Sequence, residues 1–146
     1  MASEQQGLQL MQHMGKTYRV LQNAFSRQVG HALPRWRILL SLYEQGEMSQ
    51  KALAERCYLD PASLTRLIQA LQKQGWVERA MDEKDNRQTL ATLTAEGRAT
   101  VESALPQRGA FFRALLEGLS PDQITLLNDM LNRLEQNAVC LGETGK

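Results

Sequence analysis

The side chains best suited to chemistry are concentrated in one charged segment. It reads RAMDEKDNRQTLATLT, residues 79–94, and six of its first nine residues carry a charge. The sequence offers no nucleophile with a base and an orienting partner, no paired-carboxylate motif and no phosphate-binding glycine loop. We therefore do not expect an enzyme, and the charges indicate a binding surface instead.

Thiol and imidazole chemistry has little support in the sequence. Cys57 and Cys140 are far apart and form no C-x-x-C motif, so we expect both to be small buried apolar residues. His13 and His31 lie in separate segments without a nearby carboxylate motif. We expect neither a metal site nor a cofactor.

The composition is that of an ordinary globular chain. Its 146 residues, 42% of them hydrophobic, suffice for one domain, or for one domain with dimerisation arms. The formal net charge of +1 identifies no partner, because a basic surface can be offset by an acidic one elsewhere. No apolar run is long enough to span a membrane, and the N-terminal segment lacks the features of a secretory signal. We expect a cytoplasmic location and reduced thiols.

The spacing of apolar residues predicts a mainly helical fold with six helices. The first covers residues 8–29, and the fifth runs from Thr94 towards Leu119. The sixth repeats apolar residues three and four apart, the pattern of helices that pack lengthwise on a partner. Capping residues, first-turn prolines and terminal glycines mark the boundaries, at Gly30, Pro34, Gly46, Ser49, Asp60, Pro61, Gly75, Thr94 and Ser120.

The third and fourth helices match the helix-turn-helix plan, because only a few residues separate them. In the fourth helix Leu64, Leu67, Ile68 and Leu71 form one apolar stripe. The opposite face would be free to enter a major groove, where Arg66 could donate two hydrogen bonds to guanine. The candidate DNA contacts of this motif are Ser49, Gln50, Pro61, Ala62, Ser63, Thr65, Arg66, Gln69 and Lys73.

The charged loop lies between two strand-like segments, WVERA and QTLATL, which predict an antiparallel hairpin. Beside the fourth helix this hairpin would be a wing, with Arg87 entering a minor groove and Lys84 near the phosphates. Acidic residues would repel DNA, so we expect one or two of Asp82, Glu83 and Asp85 to pair with Arg79 or Arg87 and to fix the shape of the tip. A purely structural ion pair between Arg79 and Asp85 is the alternative.

Local charge alone does not decide the partner. Residues 49–98 contain eight basic and seven acidic side chains, so the placement of the charges must carry any attraction to DNA. A winged-helix module that binds a protein partner remains the alternative function.

These residues resemble the MarR family of winged-helix transcription regulators. The segment SQKALAERCYLDPASLTRLIQALQKQGWVER is similar to the family's third and fourth helices and first wing strand. Tyr58 departs from the pattern, because relatives often carry glycine in this turn. The family's wing pattern, an arginine, aspartates, D-x-R and, after five residues, L-T-x-x-G, is present as Arg79, Asp82, Asp85, Arg87, Leu93, Thr94 and Gly97.

The resemblance implies a mainly α winged helix-turn-helix protein that binds double-stranded DNA as a homodimer. Residues 33–98 would form the DNA-binding lobe, and residues 8–30 and 99–142 the dimerisation helices. The apolar stripes on the first, fifth and sixth helices are consistent with a homodimer, since a second chain would bury them. The operator would be pseudo-palindromic, with half-sites about 34–36 Å apart.

The resemblance also implies a ligand-responsive repressor, released by a small aromatic acid or phenol bound between the dimerisation helices and the winged-helix lobe. The segments that match this cleft contain His13, Met14, Tyr18, Arg19 and Trp36. Core packing is the favoured interpretation for Met14 and Trp36. Peroxide-sensing relatives use an N-terminal cysteine that this chain lacks, and thiol sensing by Cys57 or Cys140 is a minor alternative.

Overall fold

The computed structural model describes residues 1–143. Within them six helices and three short strands follow one another, so the predicted mainly helical fold with a β-hairpin is confirmed. The elements are α1 Glu4–Val29, α2 Leu33–Gln45, β1 Met48–Ser49, α3 Gln50–Arg56, α4 Pro61–Lys73, β2 Val77–Met81, β3 Thr89–Leu93, α5 Ala95–Leu115 and α6 Pro121–Glu143.

Local capping explains where the helices begin. The hydroxyl of Ser49 accepts a hydrogen bond from the Ala52 amide at 3.1 Å and begins α3. The carboxylate of Asp60 accepts one from the Ser63 amide at 2.9 Å and begins α4. Each bond satisfies an amide that has no partner inside its helix. Both predicted caps are therefore confirmed.

Two helix boundaries differ from the predictions. Helix α1 begins four residues before the predicted Leu8, because Ser3 and Gln6 form a capping box at its start. Helix α5 ends at Leu115 rather than near Leu119, and Gly118 at φ 83° lies in the turn before α6. Glycine adopts this left-handed conformation without steric cost, which favours a break there.

The sheet has the strand order β1-β3-β2, and both pairings are antiparallel. The predicted hairpin is β2 and β3, in which Arg79 faces Ala91. Strand β1 was missed, because its two residues are too few for an alternating pattern to show. It pairs Met48 with Ala91 and so fixes the start of α3 to the base of the hairpin.

The chain divides into two compact units, the first comprising Met1–Phe111 and the second beginning at Phe112. The core of the first unit is formed by apolar side chains of every element from α1 to α5. Each such large side chain contributes about 1.5–3 kcal/mol through its burial. The fully buried side chains include Ile38, Leu39, Leu42, Leu53, Leu64, Ile68, Leu71, Val77 and Val101.

A close backbone approach joins the hairpin to α5. The hydroxyl of Thr94 donates to the Gly75 carbonyl at 2.6 Å and accepts from the Gly97 amide at 3.0 Å. A Cβ atom on Gly97 would overlap the Trp76 carbonyl oxygen. The threonine and glycine of the L-T-x-x-G pattern thus fix the wing to the helix that follows it.

The two cysteines occupy different environments. Cys57 is buried, as predicted, with its sulfur 3.7 Å from the Ser41 hydroxyl. Burial raises the pKa of the Cys57 thiol, which keeps it protonated and poorly reactive. The prediction for Cys140 was wrong, because this residue is exposed on α6, a helix with no buried residue.

Candidate nucleic-acid interface

Helix α4 has one face in the core and one on the surface. Leu64, Ile68 and Leu71 are at most 1% exposed, whereas Arg66 and Gln69 lie on the exposed side. The alternation follows from the 3.6-residue period of a helix whose apolar stripe packs inwards. Among the other predicted contacts, the structure places Pro61, Ala62 and Lys73 on the exposed surface and Ser49, Gln50, Ser63 and Thr65 at partly buried positions.

Arg66 is held by a short hydrogen-bond chain at the start of α4. Its Nη2 donates to the Ser63 hydroxyl oxygen at 3.2 Å, and this hydroxyl donates to the Asp60 carboxylate at 2.6 Å. The side-chain hydrogen bond from Ser63, followed by that from its amide, lowers the pKa of Asp60. The members of this hydrogen-bond chain lie three residues apart on one side of the helix start, a spacing from which the contacts could have been predicted.

Two further predicted contacts hold α3 against α4. The hydroxyl of Thr65 donates to the Pro61 carbonyl at 2.9 Å and accepts from Nε2 of Gln50 at 3.4 Å. The Oε1 atom of Gln50 is buried and accepts no hydrogen bond from any residue in the range 1–143. These side chains therefore pack the two helices of the motif together as well as lying beside its surface.

Acidic residues fold the tip of the wing through backbone hydrogen bonds. Asp82 Oδ1 accepts from the Lys84 amide at 2.9 Å, and Asp85 Oδ1 accepts from the Arg87 amide at 3.2 Å. Two backbone bonds, one from the Asp82 amide to the Gln88 carbonyl and one from the Gln88 amide to the Asp85 carbonyl, complete the turn. Aspartates in tight turns commonly make such local bonds. This gives Asp82 and Asp85 a structural role at the tip of the wing.

The arginines of the wing differ in their partners. Arg87 Nε donates to Asp85 Oδ1 at 3.2 Å, which is one of the pairings expected from the sequence, and the Arg87 side chain is 91% exposed. The alternative pair between Arg79 and Asp85 does not form, because Arg79 Nε donates to Gln72 Oε1 on α4 at 2.9 Å. Exposed ion pairs contribute about 0–1 kcal/mol, so the Asp85–Arg87 pair sets shape rather than stability.

The five residues matched to an effector cleft are not equivalent. Trp36 is 2% exposed and packs against Phe25, with ring centroids 6.2 Å apart, so its predicted core role is confirmed. Met14 is partly buried, and His13 and Arg19 are exposed on α1. The hydroxyl of Tyr18 accepts a hydrogen bond from Arg37 Nη1 at 3.5 Å.

His31 joins the end of α1 to the base of the wing. Its ring stacks on Trp36 at 5.9 Å and meets the edge of Trp76 at 5.6 Å. Burial among these rings lowers the pKa of His31. This contact could not be predicted from the sequence, because the three residues lie in separate segments of the chain.

Residues 1–143 contain no group of three or more histidine, cysteine, aspartate or glutamate side chains arranged to hold a metal ion. In the same part of the chain, no helix combines the length and the apolar character that crossing a membrane requires.

The chain is similar in sequence to transcription regulators. A sequence model described as MarR family matches residues 32–89. YdgJ of Bacillus subtilis, an uncharacterized HTH-type transcriptional regulator, is 34% identical over 113 residues, which are 77% of this chain and 69% of that relative.

The fold is similar to those of solved regulators. A mutant form of MarR from E. coli, complexed with operator DNA, aligns with 91% of this chain and 99% of its own, at a TM-score of 0.81 and 20% identity. BpsR of Bordetella bronchiseptica, whose DNA binding is regulated by 6-hydroxynicotinic acid, aligns with 87% of this chain and 98% of its own, at a TM-score of 0.76 and 22% identity.

The exposed helix α4 and the wing beside it define a winged helix-turn-helix protein of the DNA-binding class. Its similarity to known regulators gives the family. The chain belongs to the MarR family, and it is a DNA-binding transcription regulator.

Proposed function

We propose that the protein is a ligand-responsive transcription regulator, most simply a repressor, that binds a pseudo-palindromic operator as a homodimer. The observation that best supports this proposal is the polar, exposed face of α4 beside a wing whose Arg87 side chain is 91% exposed. A helix of this kind fits the major groove, and an extended arginine fits the negative potential of a narrow minor groove.

In this proposal base recognition and backbone contact belong to different residues. Arg66 would donate to guanine and Gln69 to adenine, and each good bidentate pair is worth about 1–3 kcal/mol of discrimination. Arg87 would enter the minor groove, while Lys73 and Lys84 would contact phosphates. The remaining residues at the start of the motif would approach the backbone or the base edges, namely Ser49, Gln50, Pro61, Ala62, Ser63 and Thr65. Asp82, Asp85 and Arg79 would give the wing its shape.

The proposed dimer would bury apolar surface that a single chain exposes. Residues 8–30 and 99–142 would form the dimerisation helices, and residues 33–98 the DNA-binding lobe. Removing the apolar side chains of α6 from water would stabilise the dimer by about 25 cal/mol per Å². Exposed apolar side chains of α1 and α6 include Leu8, Met11, Leu126, Leu127, Met130, Leu134, Val139 and Leu141.

The effector in this proposal is a small aromatic acid or phenol. Regulation of the structural neighbour BpsR by 6-hydroxynicotinic acid, an aromatic acid, supports this class. Exposed His13 or Arg19 could pair with the acid group, and Tyr18 could contact its ring. To release the operator, the effector must bind the DNA-incompetent spacing of the two α4 helices more tightly than the competent one.

Selection of duplexes from a random DNA pool, followed by a salt series on the winning sequence, tests the proposal. We expect a twofold-symmetric sequence, a dimer by sedimentation, and an affinity that falls steeply with salt as counterions are released. An aromatic acid should then weaken binding. A monomer with no affinity for duplex DNA would contradict the proposal, and capture of a protein partner with a flat salt response would favour the interaction module.

A further inference from the structure

An open groove runs between α4 and strand β2, at the base of the wing. Three of the side chains that line it are basic and none is acidic. The lining residues are Arg66, Gln69, Ala70, Gln72, Lys73 and Arg79. The groove therefore offers positive charge together with amide groups.

Arg79 is built into the wall of this groove. It lies two residues after the buried Val77, so its side chain leaves β2 on the face that packs against α4. Its Nε donates to Gln72 Oε1 at 2.9 Å, and the residue is partly buried. This single bond fixes the plane of the guanidinium and leaves its two terminal nitrogens for another acceptor.

The cations of the groove form no direct ion pair in the part of the chain that the structure describes, and Arg66 reaches the Asp60 carboxylate only through the Ser63 hydroxyl. No carboxylate oxygen within residues 1–143 comes within 4.0 Å of a basic nitrogen of Arg66, Lys73 or Arg79. Three cations that line one groove add their positive potentials there. An anion placed in the groove would therefore be attracted by all three.

The geometry of a winged helix on DNA identifies that anion. A helix in the major groove and a wing in the adjacent minor groove lie on either side of one sugar–phosphate backbone. The surface between α4 and the base of the wing therefore faces that backbone. We infer that Arg79 contacts a DNA phosphate together with Lys73, and that Gln72 is the residue that positions Arg79.

This inference rests on the proposed DNA binding and gives Arg79 a role beyond shaping the wing. A phosphate contact carries no sequence information. Arg79 should therefore contribute equally to binding of the selected duplex and of a duplex of the same length with scrambled sequence. Arg66, by contrast, should contribute mainly to the selected duplex.

The experiment measures the salt dependence of binding to both duplexes for Arg79→Ala. Loss of one phosphate contact should reduce the slope of log K against log salt by about 0.9, which corresponds to about a fivefold loss of affinity near 0.15 M salt. The discrimination between the two duplexes should not change. Arg27→Ala removes an exposed arginine from the last turn of α1 and is the matched control for charge. With its dimer verified by sedimentation, it should leave both slope and affinity unchanged.

Three further variants separate a contact from a structural role. Arg79→Lys keeps the charge and should restore the slope. Gln72→Ala should keep the slope while weakening binding about twofold, because the guanidinium must be ordered on binding. Gln72→Glu places a carboxylate beside Arg79 and should reduce the slope as Arg79→Ala does. If Arg79→Ala fails to fold, Arg79→Gln provides the neutral variant for the same measurement.

The outcomes distinguish the inference from the proposal beneath it. If the unaltered protein shows no salt-dependent binding to either duplex, the proposed function fails. If the unaltered protein binds steeply but the neutral variants retain its slope, the phosphate role of Arg79 is overturned while the proposed function stands. Loss of discrimination in Arg79→Ala would likewise overturn it, because the residue would then read bases.

Discussion

Replacement of Asp85 tests whether the wing depends on shape or on charge. The Asp85 carboxylate accepts from both the amide and Nε of Arg87 at 3.2 Å, on a loop that we propose to lie against DNA. Asp85→Ala removes a negative charge, which should favour DNA binding, and two hydrogen bonds that hold the arginine, which should oppose it. The two effects have opposite signs, so their magnitudes decide the outcome.

The charge effect is the smaller of the two. At about 8 Å from a phosphate, in a water-like dielectric and at one Debye length, removal of the charge gains about 0.2 kcal/mol. Two hydrogen bonds on an exposed loop, each at the low end of the usual range, contribute about 1 kcal/mol to holding the arginine in place. The net loss of about 0.8 kcal/mol predicts about fourfold weaker binding for Asp85→Ala.

Two matched variants isolate the charge. Asp85→Asn keeps an oxygen that can accept both bonds, and Glu83→Ala removes a neighbouring charge that takes part in none of the bonds of the tip. Each should leave operator affinity unchanged or raise it by less than about twofold. The assay is fluorescence anisotropy with the selected duplex, with melting temperature as the folding control. If Asp85→Ala tightened binding as much as Asp85→Asn, the argument from a pre-organised arginine would be refuted.

Three further predictions concern stability, measured by urea or thermal unfolding. Gly97→Ala should destabilise by about 1–3 kcal/mol, since its Cβ would overlap the Trp76 carbonyl oxygen, and an unchanged melting temperature would contradict this contact. Tyr58→Gly should stabilise by about 0.5–1 kcal/mol, because the tyrosine is 91% exposed and held at φ 55°, and a loss of stability would show that its side chain matters more than its backbone. Because the pKa of His31 is lowered in the folded protein, the unfolded chain binds more protons between that pKa and 6.5. The free energy of unfolding should therefore fall as the pH is lowered through this window. His31→Phe should remove this pH dependence from the urea midpoints.

Much of the fold could be predicted from the sequence, because its signals are local. Ser49 and Asp60 mark helix starts through hydrogen bonds that span three residues, and the apolar stripe of α4 gives its buried face. The wing hairpin could likewise be predicted, since the hydrogen bonds of the turn from Asp82 to Gln88 are made within the turn itself. These features depend on neighbours in the chain and need no knowledge of the rest of the molecule.

Other features could be decided only by the tertiary structure. The partner of Arg79 is Gln72 rather than Asp85, because β2 packs against α4 and brings the two side chains to 2.9 Å. The ring of His31 stacks on Trp36 and lies edge-on to Trp76, although Trp76 is far from both residues in the chain. Strand β1 exists only through its pairing with β3. By itself the sequence determined which segments become helices and hairpin, since those depend on local hydrogen bonds and periodicity. Only the packing of those elements decided which polar and charged side chains pair, because a side chain can bind only those groups that the fold places within hydrogen-bonding distance.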